Sequence, residues 1–264
     1  MQSSAGGGVQ GVSAMSEAGL SKEGAFGVGG VLGKTFRIWG RNVLPFAGVA
    51  LLFHSPTILG AFVLGAPRIA QPGADLWQRY LLSAVSSILS FAVAGALTFG
   101  VLGALRGRPA RFGALLEFGV KNLWRSLLVS LLAGFFIVLG MVALLGPGVI
   151  LALMLSVAVP VAVTEPQHGV WGALTRSREL TRGHRLALLL VFLVVYVVVA
   201  VPVIPLSTAT VYVPALQGGL AYGAITLASV VLGSLFSTCQ AVAYHDLRVA
   251  KEGVGTEALA AVFE

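Results

Sequence analysis

The stretch GALTRSRELTRGHR, Gly172 to Arg185, runs without a break into LALLLVFLVVYVVVAVPVIP, Leu186 to Pro205. Fourteen residues with four arginines, a glutamate and a histidine thus precede twenty with no charge. At 1.5 Å per residue, a helix over the second part matches the roughly 30 Å hydrocarbon core of a bilayer. On a helical wheel of the first part, Arg176, Arg178, Glu179, Arg182 and Arg185 share one half. Val170, Ala173, Leu174, Ser177, Leu180, Thr181 and His184 fill the other arc. The pair reads as a basic amphipathic helix in the membrane interface, arginines towards phosphate and water, feeding a transmembrane helix.

The rest of the chain extends this pattern. It has 264 residues, 57% hydrophobic and only 10% charged, with a mean hydropathy of +0.92. A soluble domain is about 25% charged, so this chain cannot cover a water-facing surface. Six segments are apolar enough to span: 43–65, 80–104, 127–145, 149–164, 186–205 and 220–243. The fourth is short and follows Gly146-Pro147-Gly148, which reads as a tight turn closing a hairpin with the third. A re-entrant half-helix is the alternative for 149–164. Residues 1–24 are Gly/Ser-rich without the apolar stretch of a signal peptide and read as a disordered cytoplasmic tail. The membrane domain is expected over 25–250, with a cytoplasmic tail at 251–264 in which TEALAAVF (256–263) could form a short helix.

Charge placement gives the orientation. With the N-terminus inside, the inner regions hold Lys22, Lys34, Arg37 and Arg41, then Arg106, Arg108, Arg111, Lys121 and Arg125. Arg176, Arg178, Arg182, Arg185, Arg248 and Lys251 complete them, and only Arg68 and Arg79 fall outside. That asymmetry follows the positive-inside rule and puts both termini of a multi-pass membrane protein in the cytoplasm. The net charge of +7 then needs no nucleic-acid partner. The single cysteine, Cys239, excludes an internal disulfide and a cysteine-cluster metal site.

Two weaker relatives of the opening stretch precede it. GVLGKTFRIWGRNVL (Gly30–Leu44), GALLEFGVKNLWRSL (Gly113–Leu127) and GALTRSRELTRGHRL (Gly172–Leu186) align without a gap, and each runs into a span. The first clusters Lys34, Arg37 and Arg41 opposite Val31, Leu32, Thr35, Phe36, Ile38 and Trp39. The second sets Glu117 four residues before Lys121, the favoured order for a helical ion pair. Trp39, Trp124 and Trp171 are expected at head-group depth. The reading is of three parallel units, about 27–105, 106–164 and 165–250, each a basic interfacial helix and a two-span hairpin. Convergence on one amphipathic pattern is the alternative.

Catalytic chemistry finds little support. GVGGVLG (Gly27–Gly33) fails the GxGxxG spacing because Leu32 occupies the third glycine's place, and no strand precedes it. His168, His184 and His245 share no ligand spacing, so no metal or other cofactor is expected. His54, in HSP, is an intramembrane ionisable residue and so a functional candidate. The structural reading is a neutral imidazole on a carbonyl freed by the Pro56 kink. Glu165 stands where the fourth span meets the cytoplasm and is expected to cap or to pair with an arginine. Near the end of the last span, Gln240, Tyr244, Asp246 and Arg248 are expected to clasp the basic helices, Asp246 facing an arginine. A lipid head-group site shared by Glu165, Tyr244, Asp246 and Arg248 is the alternative. Lys34, Arg37, Arg41, Lys121, Arg125, Arg176, Arg178, Arg182 and Arg185 are the candidates for anionic lipid head groups.

Glu165, the run R-S-x-x-L-T-x-G (Arg176–Gly183) and the ending Y-x-D-L-R (Tyr244–Arg248) resemble the membrane domain associated with glycerophosphoryl diester phosphodiesterases. Pro147-Gly148 and Pro160 also fit, and the resemblance covers about residues 25–255. It implies a helical membrane bundle, in some members attached to a soluble phosphodiesterase barrel. This chain has neither the residues for such a barrel nor its His-Arg/Glu-x-Asp signature, so no activity transfers. The expected function is that of a non-enzymatic scaffold or accessory module engaging anionic lipid, a protein partner or a second copy. A carrier or flippase for a small amphiphile is the alternative, favoured by any mid-membrane cavity lined by His54, Ser and Thr.

Overall fold

Several helices in this chain stop at a polar side chain, Asn42, His54 and Asn122 among them. The computed structural model describes residues 26–65 and 76–253; the expected disordered tail at 1–24, Arg68 and the expected helix at 256–263 lie outside the described residues. Helix α1 (Val28–Arg41) stops at Asn42, whose side-chain amide donates to the Ile38 carbonyl at 2.9 Å. Helices α2 (Val43–Phe53) and α3 (Ser55–Leu64) follow, and then α4 (Leu76–Leu105). Helix α5 (Phe112–Lys121) ends like α1: Asn122 donates to the Phe118 carbonyl at 3.0 Å. Next come α6 (Leu123–Ala143), α7 (Leu145–Met154), α8 (Ala158–Thr164) and a 3-10 turn at Pro166–His168. Helices α9 (Gly169–Thr181), α10 (Arg185–Tyr212) and α11 (Gly219–Glu252) complete the described chain, with a 3-10 turn at Pro214–Leu216 before α11. All regular structure among the described residues is helical.

Five segments are long and apolar enough to cross a membrane: Trp77–Leu105, Leu123–Ala143, Leu145–Thr164, Arg185–Thr210 and Gly219–Glu252. A sixth exists only if α2 and α3 count together, because they meet at a 67° bend. The first span expected over 43–65, with a kink at Pro56, is present as this broken pair. Pro56 has no N–H to return to the preceding turn, and the chain bends at His54.

The turn expected between the third and fourth segments is corrected. The reversal falls on Leu144, which is extended, and Gly146-Pro147-Gly148 forms the first turn of α7. Proline is tolerated there because its missing N–H would have had no intrahelical partner. The glycines serve helix packing instead. A Cβ on Gly148 would meet the Met141 backbone nitrogen at 2.7 Å, so α6 and α7 approach more closely than larger residues allow.

After the first and third basic stretches the next helix starts at the same aligned place, although α1 runs to Arg41 and α9 stops at Thr181. Asn42 and His184, both at the thirteenth place, share a bridge-region backbone (φ −119°, ψ 23° and φ −116°, ψ 12°). In the second stretch the equivalent break, Asn122, comes three residues earlier, which changes little in amphipathic phase. The last helix, α11, runs to Glu252 and is closed by Gly253 in the left-handed conformation (φ +61°).

Helix α11 is the hub, packing against α1 to α4, α10 and, at its C-terminal half, α9. The core is densest around that half, where Ala241 to Leu247 are all buried with Phe46, Leu97, Leu115 and Leu188. The outward faces of α6 and α10 are apolar, with Leu131, Phe135, Val138, Leu186, Leu190 and Val201 exposed. Exposed apolar surface on that scale does not suit water.

Candidate functional site at the basic end

The four basic segments converge on the C-terminal end of α11. Lys34 of α1 contacts both Asp246 oxygens at 2.8 and 3.0 Å, and His245 Nδ1 lies 3.1 Å from Oδ1. Trp39 fastens the same helices, its indole N–H donating to Ser234 at 2.9 Å. The other end of the bundle is marked by Arg79, which donates to the Gly65 and Leu64 carbonyls at 2.8 and 3.0 Å. Among the described residues Arg79 is the only Lys or Arg at that end; the fourteen others gather at the basic end.

Beneath the charged surface lies a balanced cluster. Glu165 is only 5% exposed. It accepts from the Tyr244 hydroxyl at 2.7 Å and lies 3.4 Å from Arg176 Nε, 3.7 Å from Arg248 Nη1 and 3.1 Å from His168 Nε2. Glu252 pairs with Arg248 at 2.8 Å and also with Arg176. Two carboxylates thus face two guanidiniums, and the Thr164 hydroxyl lies 2.8 Å from the Tyr244 oxygen. Each buried charge has an opposite one, so the cluster locks α8, α9 and α11 together and leaves little charge for an outside anion.

The predicted lipid-binding residues therefore divide into two groups. Lys34 and Arg176 are held in internal ion pairs. Arg185, at the first residue of α10, is half-buried with its Nε lacking a partner. Arg37, Arg41, Lys121, Arg125, Arg178 and Arg182 are exposed and make no ion pair among the described residues. Asp246 faces Lys34 and His245 and not an arginine; this corrects the expected partner. Trp39 is turned inward onto α11, whereas Trp124 and Trp171 stay 66% and 65% exposed.

Gln240 donates to the Ser156 carbonyl at 3.2 Å, and Ser177 to the Met154 carbonyl at 2.8 Å. Both satisfy backbone groups in the break between α7 and α8, where no helix partner is available. His54 Nδ1 meets the Ala50 carbonyl at 2.9 Å, so that nitrogen carries the proton.

Two features fall outside the sites expected from sequence. Arg106, Arg108 and Arg111 rim a cavity of about 440 Å³ between the end of α4 and α5. Their spacing in RGRPAR (106–111) is a legible signal: three arginines in six residues directly after a span. Burial, then the neighbouring charges of Arg108 and Arg248, lower the Arg106 pKa from its ordinary value. A second cavity of about 320 Å³ lies midway along α4 and α11, lined in part by His54, Ser90, Thr226, Ser229, Ser234 and Ser237. Among the described residues no cluster of His, Cys, Asp or Glu is arranged to hold a metal ion.

Fold and site together define an all-helical bundle of five to six membrane-length helices with one strongly basic end. No family model matches the chain, and no curated protein or solved structure matches it either.

Proposed function

We propose that the chain is a non-enzymatic, multi-pass protein of the bacterial cytoplasmic membrane, a scaffold or accessory module engaging anionic lipid through its basic end. In this reading the basic end and both termini are cytoplasmic, the α2–α3 pair is a sixth, bent span, and α1, α5 and α9 lie in the interface as three related units. The observation that carries it is the exposed, unpaired state of Arg37, Arg41, Lys121, Arg125, Arg178 and Arg182 at one end of an apolar-surfaced bundle. Each cation near an anionic surface contributes about 1 kcal/mol, so six form a strong, salt-sensitive attraction. The resemblance to a membrane domain found beside head-group metabolism fits the same reading.

Replacing Arg37, Arg41, Arg178 and Arg182 together by Gln is expected to reduce retained anionic phospholipid at least about tenfold in native mass spectrometry, with thermal stability unchanged. Wild-type retention in a well-folded quadruple variant would sink the proposal.

The mid-bundle cavity favours a second reading, a carrier or flippase for a small amphiphile. Ser90, Thr226 and Ser229 donate to their own helix carbonyls at 2.6, 2.9 and 2.7 Å. They therefore turn lone pairs into the cavity, which suits a head group rich in hydrogen-bond donors. Ser229→Cys, in a Cys239→Ser background, is expected to react with a small water-soluble thiol reagent if the cavity opens to water during transport. A thiol inert from both sides of the membrane removes this reading.

A further inference from the structure

The cavity rimmed by Arg106, Arg108 and Arg111 has the two chemistries of an amphiphile in one place. Its floor is apolar: Phe99 and Leu102 of α4 face Leu115 and Phe118 of α5, and Phe99 stacks on Phe118 with ring centroids 4.6 Å apart. Its volume of about 440 Å³ lies in the range of ligand pockets, about 300–1,000 Å³. At the mouth, Arg108 and Arg111 are exposed and make no ion pair among the described residues.

The same mouth includes the start of α5. Arg111 is the residue before the helix, Ala114 in its first turn lines the cavity, and that turn has neither an acidic residue nor a side-chain cap. Free N–H groups there add positive potential beside the arginines. Guanidinium groups match phosphate with paired hydrogen bonds. The cavity also lies at the end of a membrane-length segment, Trp77–Leu105, whose Phe99, Gly100, Leu102 and Gly103 line it.

We infer that this cavity is a specific site for one anionic phospholipid, its phosphate held by Arg108 and Arg111 and part of an acyl chain laid on the Phe99–Phe118 floor. The inference rests on the proposed lipid-engaging role of the basic end and narrows it to one site. A generally basic surface attracts anions without discriminating chain from head group; a cavity with an apolar floor requires both.

Gly103 supplies the means to separate these. It lines the cavity, and a Cβ built on it meets no atom within 4 Å. Gly103→Leu therefore fills the space without touching any charge. The test is native mass spectrometry of purified protein equilibrated with phosphatidylglycerol, with phosphatidylethanolamine of the same chains, or with glycerol 3-phosphate alone. The wild-type chain is expected to retain one phosphatidylglycerol per protein against competition by phosphatidylethanolamine, and to retain no glycerol 3-phosphate. Both R108Q/R111Q and G103L are expected to lose that lipid by at least about tenfold, with thermal unfolding no lower than that of wild type.

If G103L and R108Q/R111Q keep the lipid while the Arg37/Arg41/Arg178/Arg182 variant loses it, the cavity proposal falls and the surface reading stands. If none of the three loses it, both fall. Equal retention of glycerol 3-phosphate overturns the lipid assignment in favour of a soluble anion.

Discussion

Glu165→Ala lowers the stability of the detergent-solubilised protein by about 3–5 kcal/mol, the usual loss when one member of a buried charge pair is removed. The carboxylate is only 5% exposed and is shared by Tyr244, Arg176, Arg248 and His168. Without it, two guanidiniums from α9 and α11 are left facing each other with Glu252 alone between them. Glu165→Gln is the informative companion. Its amide oxygen can still accept from the Tyr244 hydroxyl but no longer balances the arginines, so its loss is smaller than that of alanine and shrinks in high salt. Unfolding curves in a denaturing detergent series measure both. A wild-type midpoint for Glu165→Ala would remove the structural role given to the cluster and return these residues to candidacy as a head-group site.

Gly119→Leu is expected to cost about 1–3 kcal/mol and, unlike most overpacking, to reposition a whole helix. A Cβ at this position would lie 2.9 Å from the Ala92 carbonyl oxygen and 3.0 Å from the Ala96 Cβ. The first of these is a backbone atom of α4 and has no rotamer through which to yield. Relief requires α5 to move away from α4, which opens the floor of the arginine-rimmed cavity. Gly103→Leu, on α4 where a Cβ meets no atom within 4 Å, is the contrast: it gains about 0.7–1 kcal/mol of helix propensity and leaves α5 in place. Thermal unfolding should rank Gly119→Leu below wild type and Gly103→Leu at or above it. The opposite order would show that the α4–α5 approach is not tight.

Much of the architecture is legible in the chain because the physics concerned is local. Insertion free energy is a sum over consecutive residues, so the apolar runs located the five membrane-length helices, though the last extends nine residues beyond the expected end, to Glu252. The punctuation was harder to read. Gly146-Pro147-Gly148 has the composition of a turn, yet the same residues serve as the first turn of a helix, and the choice depends on how closely α6 and α7 pack. Pro56 announced a kink, but neither its 67° size nor the division of the first span into two helices follows from proline alone. The site was the least legible part. RGRPAR was visible as charge, but the apolar floor beneath it requires α5 to fold back on α4.

By itself the sequence determined the all-helical class, the membrane-length segments and the gathering of basic residues in alternate connections, since each depends on neighbours along the chain. Only the tertiary structure decided which cations are available. Lys34 is matched by Asp246 across 212 residues of chain, and Arg176 is held between Glu165 and Glu252, whereas Arg37 and Arg178, on the same two helices, are left exposed. Charge is a property of a residue, but its neutralisation is a property of a pair, and these pairs form only when helices distant in sequence meet at one end of the bundle.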